Sequence, residues 1–218
     1  MTYVLWDLDG TLLDSLQDLA LATNHALRQY QLPKRTQEEV RQFVGNGVRR
    51  LIERAVPEGT PSATLEATFD CFKDYYKAHC RDNTRPYAGI ASTLQTLHQQ
   101  GTRMAIVSNK LQAGVDALHE EWFADTIDVA IGEREGVARK PAPDMLHLAL
   151  RELGATPTDH IYYIGDSDVD ILTAQRAGVP CISALWGFRS REFLLAHGAT
   201  LLAESPSDVL RIIESCES

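Results

Sequence analysis

No stretch of this 218-residue chain is apolar for long enough to cross a bilayer. Its longest apolar runs have the length of a buried strand, far below the roughly 20 residues that a membrane helix needs. The N-terminus meets Asp7 too early for a signal peptide. Dense Lys/Arg runs are missing as well. With 21 basic against 30 acidic side chains the formal charge is −9, a field that repels polyanions and argues against nucleic acid or an anionic membrane as partner. The four cysteines (Cys71, Cys80, Cys181, Cys216) form no C-x-x-C pair, and the seven histidines are scattered. A zinc centre, a disulfide framework and a catalytic thiol all lack the spacing they require. No Pro, Gln or Ser tract and no internal repeat breaks the composition, which is 44% hydrophobic and 23% charged. These absences leave a cytoplasmic globular protein, one domain with an insert, folded throughout.

What is present is a rhythm. From Gly101 onward, β-type runs (Thr102 to Val107, Thr126 to Ile131, His160 to Ile164, Pro180 to Leu185, Ala199 to Leu202) alternate with amphipathic stretches of helix length. That alternation predicts an α/β fold, a Rossmann-like parallel sheet with helices on both faces. Pro143 opens a helix whose apolar positions Met145, Leu146, Ala149, Leu150 and Leu153 recur at helical spacing, and Gly154 ends it. Ser205, Pro206 and Asp208 mark the start of the last helix. Between Ser15 and about Thr84 the β signal vanishes, and Leu16 to Tyr30, Thr36 to Val56 and Pro61 to Cys80 read as helices, with a capping box at Thr36-Gln37-Glu38-Glu39. The expected division is a catalytic α/β core at 1–14 and 85–218, interrupted by a helical domain at 15–84.

The first strand, Val4-Leu5-Trp6, runs into Asp7-Leu8-Asp9-Gly10-Thr11. Residues two apart on a strand share a side, so Asp7 and Asp9 project together at its carboxyl end, where open α/β sheets place ligands, and Gly10 lets the chain turn. Turn capping accounts for one of these acids but not for two. A second apolar strand ends the same way, in Gly165-Asp166-Ser167-Asp168-Val169-Asp170. Asp168 reads equally well as a first-turn or capping acid. So many carboxylates at neighbouring strand ends repel one another unless a cation lies among them, and hard oxygen donors suggest Mg²⁺. A third strand ends in Ser108-Asn109-Lys110, offering a hydroxyl and an amide to a phosphoryl oxygen, although turn chemistry alone explains that pair. In Arg139-Lys140-Pro141-Ala142-Pro143 one lysine is held beside two prolines, with a plain surface lysine as the alternative.

Asp7-Leu8-Asp9-Gly10-Thr11, Ser108-Asn109, Lys140-Pro141 and Gly165-Asp166-Ser167-Asp168-Val169-Asp170 resemble the four ordered motifs of the haloacid dehalogenase superfamily. The insert after the first motif is similar to that family's small α-helical cap. The resemblance implies Asp7 as nucleophile and Asp9 as general acid and base. It implies Mg²⁺ at Asp7, the Asp9 carbonyl, Asp166 and Asp170, and a phosphoryl group held by Gly10, Thr11, Ser108 and Asn109. Lys140 would offset the charge on Asp7 and phosphate. The metal acids favour phosphoryl chemistry over dehalogenation.

Within the insert, Gly45-Asn46-Gly47 interrupts a helical pattern at roughly 1 kcal/mol per glycine against alanine. No strand precedes it and Arg50 stands where a dinucleotide motif needs glycine. A plain break between helices is one reading. The other is that Gly45, Asn46 and Gly47, with Arg49 or Arg50, meet the non-reacting end of a small acidic substrate. This segment resembles the phosphoglycolate phosphatase branch of the family, as do Arg85-Pro86-Tyr87-Ala88-Gly89-Ile90 and Ala184-Leu185-Trp186-Gly187-Phe188, although Ala88 stands where that branch often has proline. The resemblance therefore implies a small phosphorylated substrate, 2-phosphoglycolate first. Pyrophosphate, nucleotides, sugar phosphates and a phosphomutase or phosphonatase activity are alternatives on the same core. A signalling receiver also combines acids, Mg²⁺ and lysine, but has no second acid beside the phosphorylated one and no helical cap.

Overall fold

The computed structural model describes residues 1–217. In chain order the elements are β1 (Thr2–Trp6), β2 (Leu13–Asp14), α1 (Leu16–Gln29), α2 (Gln37–Phe43), α3 (Gly47–Ala55), α4 (Ser62–His79), β3 (Arg85–Pro86), α5 (Ile90–Gln99), β4 (Arg103–Leu111), α6 (Gln112–Trp122), β5 (Val129–Glu133), α7 (Asp144–Leu153), β6 (His160–Gly165), α8 (Asp168–Ala177), β7 (Cys181–Ala184), α9 (Arg191–Ala196), β8 (Leu201–Ala203) and α10 (Pro206–Glu217). The chain forms two compact units, Met1–Leu13 with Pro86 onward, and Asp14–Arg85.

The first unit is built on a six-stranded sheet in the order β5-β4-β1-β6-β7-β8, with every pair parallel. Alternation along β1 explains why the strands read as unbroken apolar runs, since both faces are covered. Val4 and Trp6 join Met104, Ile106, Leu94, Leu97, Val209 and Ile213 on one face. Tyr3 and Leu5 join Ala105, Val107, Met145, Leu146 and Tyr163 on the other. The chain fills one side of β1 with β4 and β5, then returns to lay β6, β7 and β8 on the opposite side. Strand order therefore reverses between β1 and β6, and the crevice at their carboxyl ends is where such sheets bind ligands.

Two strand boundaries differ from the sequence expectation by three residues or more. β5 begins at Val129 rather than Thr126, because the Thr126 and Ile127 amides donate to the Phe123 carbonyl and prolong the turn after α6. β4 does not stop at Val107. Its pairing with β5 shifts register between Val107 and Leu111 and resumes at Leu111 opposite Glu133, a local irregularity of the kind that re-aims side chains near active sites.

The second unit is helical throughout, with α1 packed on α4 and on α2, and α3 packed on α2 and α4. Leu27, Leu51, Ile52 and Phe72 are fully buried in it. The capping box at the start of α2 is formed: the Thr36 hydroxyl accepts from the Glu39 amide at 3.1 Å, and Glu39 accepts from the Thr36 amide at 2.7 Å. The helical pattern of Thr36 to Val56 is divided in two. Gly45 and Gly47 adopt φ of +120° and +81°, left-handed values that a residue with a Cβ avoids.

Asp18 ties this unit together. Its buried carboxylate, on α1, accepts from both the amide and side chain of Asn83, and from the amide and hydroxyl of Thr84, at 2.7 to 3.1 Å. Burial opposes its ionisation, but the Asn83 and Thr84 donors outweigh that and hold the carboxyl below its ordinary range. Asp18→Ala would orphan those donors and is expected to lower stability by about 2 kcal/mol, read as a reduced denaturation midpoint. The stabilisation is present above the ordinary carboxylate range and is lost as pH falls through the lowered value. An unchanged midpoint at pH 7 would contradict this role.

Candidate active site

Asp7 leaves the end of β1, its amide donating to the Ile164 carbonyl of β6 at 2.8 Å. It therefore stands at the point where strand order reverses. The Lys140 ammonium lies 2.8 Å from Asp7 Oδ1 and 2.8 Å from Asp170 Oδ1, with only 2% of its side chain exposed. Lys140 is thus no surface lysine. Asn109 fixes its backbone from both sides, accepting from the Lys140 amide at 2.9 Å and donating to the Lys140 carbonyl at 3.0 Å. Lys140 also donates to the Tyr163 hydroxyl at 2.8 Å, which in turn donates to Asp170 Oδ1 at 2.9 Å. The other Asp170 oxygen accepts from the Ser167 hydroxyl and amide at 2.6 and 3.1 Å, closing a cap on α8. Asp168 begins α8 half-buried and lies outside this cluster, in its first-turn reading.

Asp166 completes the acidic set. Its oxygens accept from the Thr11 hydroxyl at 3.0 Å and the Phe188 amide at 2.7 Å, while Trp186 Nε1 donates to the Thr11 carbonyl at 2.9 Å. Glycine is required here for a close approach: a Cβ on Gly187 would overlap Asp166 and meet the Gly10 carbonyl at 2.5 Å. Gly10, at φ +90°, would place a Cβ 2.5 Å from Asp166 Oδ2.

Carboxylate oxygens of Asp7, Asp166 and Asp170 lie within 4.8 Å of one another. With one ammonium in contact, three ionised acids leave an excess of two negative charges in a buried crevice. Protons or a divalent cation must offset it. Burial and the neighbouring Asp170 push Asp166 up to about 7. Burial, with Asp170 and Asp166 adding to it against Lys140, also raises Asp7 well above the ordinary range. Asp170 goes the other way: burial opposes its ionisation, but Lys140, Ser167 and Tyr163 overcome that and lower it. All-oxygen donors with surplus negative charge fit a hard divalent cation such as Mg²⁺.

The remaining expected phosphate ligands are placed differently from one another. Ser108 is buried, and its oxygen accepts from the Lys110 amide at 3.3 Å, which leaves its own proton to donate. The Gly10 amide already donates to the Leu13 carbonyl at 2.8 Å and the Thr11 amide to the Leu8 carbonyl at 3.3 Å. In this structure those two residues shape the turn and hold Asp166 rather than presenting open amides, and Asn109 is engaged by Lys140. Asp9 is half-buried and pairs through both oxygens with Lys110, at 3.1 and 3.2 Å.

In the helical unit, Arg49 binds Glu66 through both terminal nitrogens, at 2.8 and 2.5 Å, and Glu53 at 3.1 Å, while Arg50 pairs with Glu53 at 2.7 Å. Asn46 accepts from Arg54 at 2.7 Å and is the residue before α3, between Gly45 and Gly47. The arginines that the sequence offers to a substrate are therefore ion-paired within their own unit.

Tyr163, Lys110, Trp186 and Phe188 escaped the motif reading as site residues. The last two flank Gly187 in the run Ala184-Leu185-Trp186-Gly187-Phe188, which carries part of the family resemblance.

Residues 4–184 match the family model described as haloacid dehalogenase-like hydrolase. The chain belongs to that family. It is accordingly an enzyme, a hydrolase. The phosphoglycolate phosphatase of Pseudomonas putida is 34% identical over 95% of this chain and 75% of its own length. That of Aquifex aeolicus is 31% identical over 99% and 98%. A crystal structure described as a candidate phosphoglycolate phosphatase from Lactobacillus delbrueckii subsp. bulgaricus superposes with a TM-score of 0.90 at 35% identity, covering 97% of each chain. The fold of this chain is thus shared with that structure over nearly its whole length.

Because Asp166 must lose its proton to hold a cation, Mg²⁺ binding is expected to tighten as pH rises through about 7, by up to about tenfold per pH unit for each proton released. Calorimetric titration of the metal-free protein at pH 6 and pH 8 measures this, and equal affinities would contradict it.

Proposed function

We propose that this hydrolase is an Mg²⁺-dependent phosphatase of small phosphomonoesters, with 2-phosphoglycolate as its best-supported substrate. The observation that carries the reading is the pair of acids leaving β1 with separate cationic partners, Asp7 on Lys140 and Asp9 on Lys110. One acid so held can attack while the other moves a proton. Asp7 would attack phosphorus, forming an Asp7–phosphorus bond as the ester oxygen departs. Asp9, protonated in the substrate complex, would give that oxygen its proton, releasing the alcohol. Asp9, now a carboxylate, would take a proton from water as the water attacks phosphorus, and the Asp7–phosphorus bond would break to give phosphate.

Lys140 balances Asp7 against the incoming phosphoryl oxygens, and the Ser108 hydroxyl donates to one of them. Asp7, Asp166 and Asp170 with the Asp9 carbonyl would hold Mg²⁺, which when bound supplies charge stabilisation to the phosphoryl group. The helical unit would act as the cap, with Gly45 to Arg50 reading the non-reacting end. Arg49 or Arg50 would exchange Glu66 or Glu53 for a substrate carboxylate. The substrate preference rests on the names of the curated relatives, 34% and 31% identical over nearly the whole chain. A reducing cytoplasm suits the four free cysteines.

Phosphate release should require Mg²⁺ and be fastest on 2-phosphoglycolate among a panel with pyrophosphate, nucleotides and sugar phosphates. Asp7→Asn should reduce it to background on every substrate. Full activity of Asp7→Asn would overturn the mechanism; a faster member of the panel would overturn only the substrate.

A further inference from the structure

Lys110 is a cation of the crevice that the motif pattern leaves without a role. Three observations give it one. Its side chain is 4% exposed, yet a lysine ordinarily reaches for water. Its ammonium is 3.1 and 3.2 Å from the two oxygens of Asp9, so it spans the carboxylate rather than touching one end. Its stem lies along α6 where Gly114 has no side chain, and a Cβ there would already be at 3.5 to 3.6 Å from the Lys110 carbons.

The backbone is arranged to deliver it. Between Val107 and Leu111 the register of β4 against β5 shifts, and this segment carries Ser108, Asn109 and Lys110. Asn109 is turned to the Lys140 backbone, whereas Lys110 is turned to Asp9. The two lysines thereby divide the two acids: Lys140 contacts Asp7 and Asp170, and Lys110 contacts Asp9.

We propose that Lys110 is the positioning residue for Asp9, gripping both of its oxygens so that the carboxyl is aimed at the leaving-group oxygen, and that it makes the enzyme competent for unactivated alkyl phosphates. This rests on Asp9 as the proton donor of the proposed function. Lys110 itself neither touches the substrate nor carries the proton. Without its grip the Asp9 carboxyl would lose the restraint on both of its oxygens, and proton delivery would fail for alcohols that cannot leave as anions. A 4-nitrophenolate leaves without a proton and would be indifferent to the loss.

The test compares Lys110→Met and Lys110→Gln with the parent enzyme, using kcat/KM, which reports transfer to Asp7 and not the later hydrolysis. For 2-phosphoglycolate or another alkyl phosphate that the enzyme turns over, kcat/KM should fall by about tenfold or more, a part of the usual contribution of a general acid. For 4-nitrophenyl phosphate it should change by less than about threefold. In an Asp9→Asn background the Lys110 substitutions should add nothing further on the alkyl ester. Equal losses on both esters, or full additivity with Asp9→Asn, would show a merely structural lysine and overturn the proposal. Should Lys110→Met not fold, the glutamine variant, which keeps a donor and nearly the length, carries the same comparison. The outcome is separable from the mechanism beneath it: if Asp9→Asn itself retains activity on alkyl esters, Asp9 is not the acid, whereas an inactive Asp9→Asn with an unaffected Lys110→Met removes only the role of Lys110.

Discussion

Three buried acids, Asp7, Asp166 and Asp170, converge on the end of β1 with one ammonium, that of Lys140, in contact. The shortage of positive charge in that crevice is the constraint the surrounding structure answers. Breaking a buried pair of this kind leaves an uncompensated charge and is far more damaging than the pair is stabilising. Lys140 is accordingly restrained at its backbone by Asn109 and at its tip by Tyr163. What Lys140 does not neutralise is left to Asp166, which is pushed up to about 7. A buried cluster with one acid held low and others held high fits a divalent cation, whose binding would change the proton inventory of the site.

The sheet topology turns this local chemistry into a usable site. Reversal of strand order between β1 and β6 opens a crevice in which Asp7 comes from one strand and Asp166 and Asp170 follow the other. Glycines at 10 and 187 let the backbone close around Asp166, where any Cβ would collide. The hydrogen bonds from Thr11 and Phe188 then fix its two oxygens. Asp9, two residues beyond Asp7, is held on a different lysine, so the two acids of the motif have different electrostatic partners. That separation gives physical content to a division between a nucleophile and a proton carrier.

Much of this was legible in the residues. Short β-type apolar runs alternating with amphipathic stretches mark the strands, and the disappearance of the β signal after Ser15 marks the helical insert. Asp7, Asp166, Asp170 and Lys140 stand together as motif spacing implied. The residues that escaped did so for stated physical reasons. Tyr163 looks like one more apolar residue of a buried strand, and only three-dimensional packing brings its hydroxyl between Lys140 and Asp170. Lys110 lies beyond Val107, where the apolar run of β4 ends in the sequence, and a register shift has no signature in a single sequence. Gly10, Thr11 and Asn109 lie beside Asp166 and Lys140, where the resemblance implies open donors for a phosphoryl group. The turn and the Lys140 backbone claim their polar groups first. Arg49 illustrates the same limit: a cation near a glycine break suggests an anion, and here Glu66 and Glu53 already supply it.

The mechanism proposed for this hydrolase turns on a covalent bond from Asp7 to phosphorus during turnover. Rapid acid quenching of the Mg²⁺-loaded enzyme with radiolabelled phosphomonoester tests it directly, because an acyl phosphate survives acid. Label is expected on the peptide that contains Asp7, chased by unlabelled substrate and absent from Asp7→Asn. Turnover with no covalent label at any quench time, or label on another residue, would contradict it.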